Sequence, residues 1–512
     1  MLLRAAPLLL LLPAALIGQA RPSAPAPSPT ASGAERTGPS LSTDDKIVRT
    51  EHVARIGGTD VRYTATAGTL ALRQPTGKPR AHFFFVSYAR DGQDAPSRPI
   101  TFSYNGGPGS ASIWLHMGLM GPKRVQMAAN GFQPAPPYQL TPNDDSPLDV
   151  TDIVMIDPVQ TGYSRAAEGE SPSQFHGVRP DIESVAEFIR LYLTKFDRWR
   201  SPKYLLGESY GTMRSAGVAE ELQNRHGIEL NGIVLLSSIL DYQTKGFVPG
   251  NDYPYANFLP SYTASAWYHK KLPPELQGDL RAALDQSRAF AFGEYLQALV
   301  KGSKLSAPER RAIAQKVARF SGLSVEFIEQ SNLRVSDQRF RKELLRDRGV
   351  MIGRLDGRYT GLDADNAGES QEFDPSNHAL TGPYVALYLD YLRRELKYES
   401  DQQYFTSGQV QPWDYRPYQN RYLNLVESLR ATMAKNPFLK VLVLNGYYDF
   451  ATPFGATEYT FDHLGYERSY TDRVAMKYYE GGHMMYIVPS ILRQVKRDLA
   501  DFIGATRTSP IS

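Results

Sequence analysis

The sequence contains no cysteine in 512 residues. Disulfides are therefore excluded, and an exported form of the chain must hold together by its core alone, which a chain of this length can build. Charge of one sign is lacking too: 57 Lys and Arg face 54 Asp and Glu, a net charge of +3 at pH 7, with no long basic run. A dedicated nucleic-acid binder would carry such a run or stripe, so nucleic acid is not an expected partner. The sequence has no dinucleotide or P-loop pattern, and no metal or other cofactor is expected. Long apolar runs are confined to residues 1–20, MLLRAAPLLLLLPAALIGQA, where one Arg precedes a stretch short for a membrane span and Gly18-Gln19-Ala20 is small-x-small. This reads as a cleavable secretory signal. An uncleaved anchor is the alternative, with Pro7 and Pro13 inside the stretch and Pro22 after it arguing against a span. The expected location is secreted or periplasmic, in a bacterial setting, with no stable membrane insertion after cleavage.

What is present is ordinary globular composition, 42% hydrophobic and 22% charged. Residues 21–43 are Pro-, Ser- and Ala-rich without apolar periodicity and are expected to form a disordered linker. From 44 to 242, alternating segments such as Val61-Arg62-Tyr63-Thr64-Ala65 and the run 82–88 predict antiparallel strands. Short apolar runs at 153–156, 204–206 and 233–236 then predict strands separated by helices, over about 181–200 and from about 213 to 225. Strands alternating with helices imply a mostly parallel sheet. Residues 243–405 are charged and helical in pattern, Tyr-rich, and lack β-branched runs, predicting a helical insertion or cap domain. The α/β pattern resumes over 406–512, with strands near 440–444 and 473–478 and a closing helix over 491–502. The fold class expected is α/β.

Three local motifs carry chemistry. Gly207-Glu208-Ser209-Tyr210-Gly211 follows a predicted strand and opens a predicted helix, the setting of a nucleophile elbow, where a sharp turn demands small residues on both sides of the serine. A serine hydroxyl needs a base and an orienting acid, which in this architecture follow it in the order acid, then histidine. Asp449 ends a strand and turn, and His483 follows a strand into a glycine loop, so Ser209, Asp449 and His483 are the expected catalytic set, with Asp462 the rival acid. Third, Asn105-Gly106-Gly107-Pro108-Gly109 follows an early strand, where unobstructed backbone N–H groups can face a developing oxyanion. Gly107 and Tyr210 are assigned to that oxyanion hole.

Together these segments resemble the serine carboxypeptidase family, of the α/β-hydrolase fold. The carrying residues are Asn105-Gly106-Gly107-Pro108-Gly109, Gly207-Glu208-Ser209-Tyr210-Gly211, Asp157-Pro158 with Gly162-Tyr163-Ser164, Asn445-Gly446 with Asp449, and Gly482-His483-Met484. The resemblance implies release of C-terminal residues from peptide substrates through an acyl-enzyme. It also implies that Asn105, Gly106 and Glu208 bind the substrate carboxylate, Glu208 in its protonated form, with activity favoured at acidic pH.

The sequence departs from the family at Ser103, where a Trp is usual, at Leu119 or Met120, where a second Glu is usual before Gly121-Pro122, and at Ser110, where a Cys is usual. Lys123, Arg124 or an insertion Arg are the available substitutes for the missing half of the carboxylate clamp. An esterase, amidase or acyltransferase with the same triad, and a catalytically silent envelope binding protein, remain as alternatives. Asp363, Asp365 and Asp374 keep part of a calcium-loop register, but Ala367 and Asp374 stand at positions that calcium loops fill otherwise, predicting an acidic loop and no metal site.

Overall fold

The computed structural model describes residues 45–94, 97–465, 470 and 472–507. The expected signal and linker, 1–43, lie outside the described residues. A ten-stranded sheet forms the centre. It begins with β1 (Ile47–Ile56), β2 (Thr59–Arg73) and β3 (Pro79–Arg90) and continues with β4 (Ile100–Tyr104) and β5 (Asp152–Ile156). Helix α1 (Val178–Lys195), β6 (Lys203–Glu208), α2 (Tyr210–His226) and β7 (Gly232–Leu236) follow. After the helical segment come β8 (Lys440–Gly446) and β9 (Val474–Tyr479). The order across the sheet is β1-β2-β3-β5-β4-β6-β7-β8-β9, with the two-residue strand Arg165–Ala166 also on β3. Pairs from β1 to β5 are antiparallel, and every pair from β5 to β9 is parallel. This is the mostly parallel sheet with antiparallel N-terminal strands that the alternation of apolar runs predicts.

All residues of β4, β5 and β7 are buried, as strands covered on both faces must be. The side chains alternate between two cores. Val154, Ile156, Phe102 and Leu205 face Val185, Ile189 and Met213 of α1 and α2. Ile153, Met155 and Leu206 face the other way, onto a core with Leu492 and Leu499 near the C-terminus.

Between β7 and β8 the chain is helical, through α3 (Tyr253–Tyr268), α4 (Leu280–Phe290), α5 (Ala307–Ser321), α6 (Pro375–Arg394) and α7 (Val426–Lys435). It divides energetically in two. Phe258, Tyr262, Val317, Phe320 and Phe340 build a core of the insertion's own, joined from outside by Phe450. Helix α6 instead sends Tyr384, Tyr388 and Tyr391 into the core of the sheet. The abundant tyrosine of this segment is thus packing material. Helices α8 (Phe454–Asp462) and α9 (Pro489–Thr506) complete the chain. No helix among the described residues is long and apolar enough to cross a membrane.

Helix boundaries differ from expectation in two places. The helix predicted over 181–200 stops at Lys195, and the one predicted from about 213 starts at Tyr210, directly after Ser209. In the acidic loop, the Lys342 ammonium bonds Asp363 and the carbonyl of Asp365, the latter at 2.8 Å. A side-chain cation of the chain itself answers the charge that suggested calcium.

Candidate active site

Ser209 sits at the carboxyl end of β6 with φ 62° and ψ −130°, outside the helix that starts at Tyr210. A positive φ on a residue with a Cβ is strained and must be held by its surroundings. Its N–H is bonded to Leu236 O at the end of β7 at 3.0 Å, and its carbonyl accepts from Thr212 N at 2.9 Å and Thr212 Oγ1 at 2.7 Å. The glycine requirement of the elbow is steric. A Cβ on Gly207 would lie 2.2 Å from Gly211 O. A Cβ on Gly106 would lie 2.4 Å from the Tyr210 nitrogen and 2.6 Å from that of Gly211. The loop after β4 therefore packs its backbone against the first turn of α2, whose opening N–H groups have no acceptor within the helix.

Beyond the ends of β8 and β9, the structure brings Asp449 and His483 together. His483 Nδ1 lies 2.7 Å from Asp449 Oδ2. Asp449 is wholly buried and accepts three further bonds, from Ala451 N at 2.7 Å, Thr452 N at 3.0 Å and Thr452 Oγ1 at 2.7 Å. Asp462, the rival acid, is exposed at the far end of α8. Burial disfavours the His483 imidazolium, but the charge and hydrogen bond of Asp449, with Glu208 behind them, outweigh it and raise the pKa against a lesser push from Arg354. With Nδ1 committed to Asp449, Nε2 is the nitrogen left for proton exchange. The His483 backbone is fixed at both ends, its N–H to Leu355 O at 2.6 Å and its carbonyl by Ser237 Oγ at 2.7 Å.

Glu208 and Asn105 also meet. Asn105 Nδ2 donates to Glu208 Oε1 at 2.7 Å, and Tyr486 OH donates to Oε2 at 2.7 Å. Burial pushes the Glu208 carboxyl up to about 7, opposed by His483 and by the two donors. Asn105 Oδ1 accepts from Leu115 N at 3.0 Å. The side chain that resembles the family's turn acid, Asp157, is a scaffold acceptor. It takes Ser112 N at 2.7 Å and Tyr404 OH at 3.0 Å, and burial raises it to about 6.

At the departures from the family, Ser103 is buried in β4, and Leu119 and Met120 are buried in the core. Lys123 is taken by Glu395 at 2.6 Å, and Arg124 lies in the short strand Lys123–Val125.

Sequence reasoning missed three features. The first is Arg214, whose Nε bonds Asp181 Oδ2 at 2.8 Å while Nη1 grips Asn105 O at 2.6 Å. The second is Tyr486. The third is insertion segment 354–357, woven between the loops that carry Asp449 and His483. Phe450 N bonds Arg354 O at 3.0 Å, Gly357 N bonds Tyr448 O at 2.9 Å, and Leu355 O takes the His483 N–H. Only Asp181 left a signal, as an acid beside Ile182 on the apolar face of α1.

A family model described as serine carboxypeptidase matches residues 61–488. The chain belongs to the serine carboxypeptidase family. The match runs from within β2 to Val488, just before α9. A comparison of the sequence with curated proteins gives no match. Among solved structures, the chain is similar to a thermostable carboxyl esterase from Bacillus coagulans, at 12% identity and a TM-score of 0.36, covering 86% of this chain and 98% of the other. It is also similar to a peroxisomal alpha-beta-hydrolase from Saccharomyces cerevisiae, at 9% identity and a TM-score of 0.36, covering 91% of each.

Proposed function

We propose that the protein is an exported serine-type carboxypeptidase, releasing C-terminal residues from peptides through Ser209, His483 and Asp449. The observation that carries this reading is the Asn105–Glu208 pair next to Ser209, with the Glu208 carboxyl pushed up to about 7. A carboxyl that keeps its proton near neutrality can donate to a substrate carboxylate, where an ionised one would repel it.

In this mechanism Ser209 Oγ attacks the last peptide carbonyl, forming the new C–O bond, and its proton passes to His483 Nε2. Asp449, fixed by its own donors, holds the imidazole by Nδ1 and stabilises the imidazolium. The oxyanion takes the N–H groups of Gly107 and Tyr210. Collapse breaks the C–N bond, and His483 returns the proton to the departing amino group. Water then cleaves the acyl-enzyme by the same steps in reverse roles. Asn105, the Gly106 backbone and protonated Glu208 bind the terminal carboxylate.

The apolar Leu119 and Met120, where a second acid would complete a carboxylate clamp, favour a second reading as an esterase, amidase or acyltransferase with the same triad. The deciding experiment compares an N-blocked dipeptide as free acid and as C-terminal amide, with Ser209→Ala as control. A bond to the carboxylate is worth about 1.5 to 3 kcal/mol, so a carboxypeptidase should prefer the acid by roughly ten- to a hundredfold in kcat/KM. Equal rates on acid and amide would move the assignment to the second reading. Failure of Ser209 to react with a fluorophosphonate probe would make the protein a silent binder.

A further inference from the structure

Arg354 holds a singular position. Its carbonyl accepts from Phe450, the residue after Asp449, and the next carbonyl, that of Leu355, accepts from His483. Its backbone is thus pinned between the two loops of the proposed triad, while its side chain is exposed. Among the described residues its guanidinium takes part in no ion pair.

A second cation stands nearby. Half-buried Lys245 donates Nζ to Ala451 O at 2.7 Å, two residues past Asp449. Burial and then Arg354 lower its pKa to about 8, against the opposing pull of Asp337 and Asp449, so the two cations feel each other. Arg354 also acts on His483 and on Tyr242.

The acids around this pair are engaged elsewhere. Asp374 caps α6 and accepts from the backbone of Arg354, Leu355 and Ser376 at 2.9, 3.2 and 3.1 Å. Asp337 pairs with Arg341 at 3.1 Å. Asp449 is filled by the Ala451 and Thr452 N–H groups, Thr452 Oγ1 and His483. Asp356 is bound by Arg358 at 2.6 Å. Two cations thus lie along the loop after Asp449, one held through its backbone to Phe450 and one through its ammonium to Ala451, and among the described residues neither is in an ion pair, which leaves an anion to be supplied by the substrate.

We propose that Arg354, with Lys245 behind it, binds a carboxylate of the substrate and selects for it. Guanidinium suits this role, since its planar fork meets a carboxylate with two parallel bonds. The carboxylate has two sources, the chain terminus and an acidic side chain next to the scissile bond. The proposal rests on the assignment of Ser209, His483 and Asp449 as the active site.

The test measures kcat/KM for two matched pairs of N-blocked dipeptides, free acid against C-terminal amide and Glu against Gln beside the scissile bond. The enzymes are wild type, Arg354→Ala, Arg354→Lys and Ser209→Ala, with thermal melting of each. Arg354→Ala should lower the ratio within one pair by roughly ten- to a hundredfold, and Arg354→Lys should restore part of it. The pair that changes names the source. If both ratios stay as in wild type, or if all four substrates fall by one factor, the proposal is overturned. Should wild type cleave none of them, calorimetric binding of N-acetylglutamate decides, with weaker binding to Arg354→Ala supporting the proposal and equal binding overturning it. Undiminished cleavage by Ser209→Ala would instead overturn the triad assignment, and that result is read independently of the Arg354 ratios.

Discussion

Arg214 reaches from the helix behind Ser209 to the Asn105 carbonyl at 2.6 Å. It thereby ties the loop that carries Gly107 to α2, the helix that follows Ser209. Its charge is buried, balanced by Asp181 at 2.8 Å, and flanked by the rings of Tyr104 and Tyr210, each 5.3 Å away. Replacing Arg214 with Met strands Asp181 as an uncompensated buried carboxylate, at about 3 to 5 kcal/mol of stability. Chemical denaturation measures that loss. The double variant Arg214→Met, Asp181→Leu should recover much of the stability but not the turnover, because the Asn105 carbonyl stays unheld. Recovery of both would mean that the pair serves folding alone.

Glu208 sets a pH dependence whose sign is fixed. Its carboxyl, normally near 4.5, is raised to about 7 by burial, so it loses its proton only as the pH climbs through that value. The acid-over-amide preference in kcat/KM should therefore hold at pH 5 to 6 and fall above about 7. Glu208→Gln should flatten this decline. The same shift acts on folding: a carboxyl stabilised in its neutral form contributes fully below about 4.5 and loses that contribution as the pH rises toward 7. Melting temperatures of wild type and Glu208→Gln should diverge across that window.

The four bonds to Asp449 predict a graded series. Asp449→Asn should lower kcat by roughly four orders of magnitude, as expected when the acid that fixes the tautomer is neutralised. Thr452→Val removes one donor, the 2.7 Å bond from Oγ1, and should cost far less. Single-turnover acylation rates measure both. Equal losses would place Thr452 in the proton path.

Gly106 offers a steric test of the oxyanion assignment. An Ala there would meet the Tyr210 nitrogen at 2.4 Å and push the loop off the first turn of α2. Loss of one donor to an oxyanion typically lowers kcat by roughly a hundred- to a thousandfold. That loss should appear in kcat, and because the Gly106 backbone also binds the substrate carboxylate in the proposed mechanism, KM should rise with it. A variant of full activity would move the oxyanion site away from this contact.

The acidic loop at 363–374 should ignore metal. Because Lys342 already bonds Asp363 and the Asp365 carbonyl, calcium and EDTA should both leave the melting temperature where it is. Lys342→Met should lower it, and a variant that regained stability on adding calcium would show the loop to be a cation site filled by lysine.

The contrast between what could and could not be read from the sequence follows the range of each interaction. The elbow is a local steric problem, solved by glycines two positions from Ser209, and so it is written locally. Asp449 and His483 are legible because each follows a short apolar run, and parallel strands deliver their carboxyl ends to one edge. The alternation of Val154 and Ile156 against Ile153 and Met155 is hidden in a continuous apolar run, although the run itself marks a strand covered on both faces. Arg214, Tyr486 and Arg354 are different. Each acts across a large sequence distance, and nothing adjacent to them in the chain encodes the partner. An acid on the apolar face of α1 signals that some cation must come to Asp181, without naming Arg214.

The ladder through residues 354–357 has a mechanical meaning. His483 takes its backbone anchor from Leu355, and the Asp449 loop is bonded to Arg354 and Gly357. The insertion therefore cannot swing away from the sheet as a rigid lid while these bonds to the His483 and Asp449 loops are kept. Lifting this segment would release the His483 backbone, so, on the proposed function, wide opening and loss of activity would be the same motion.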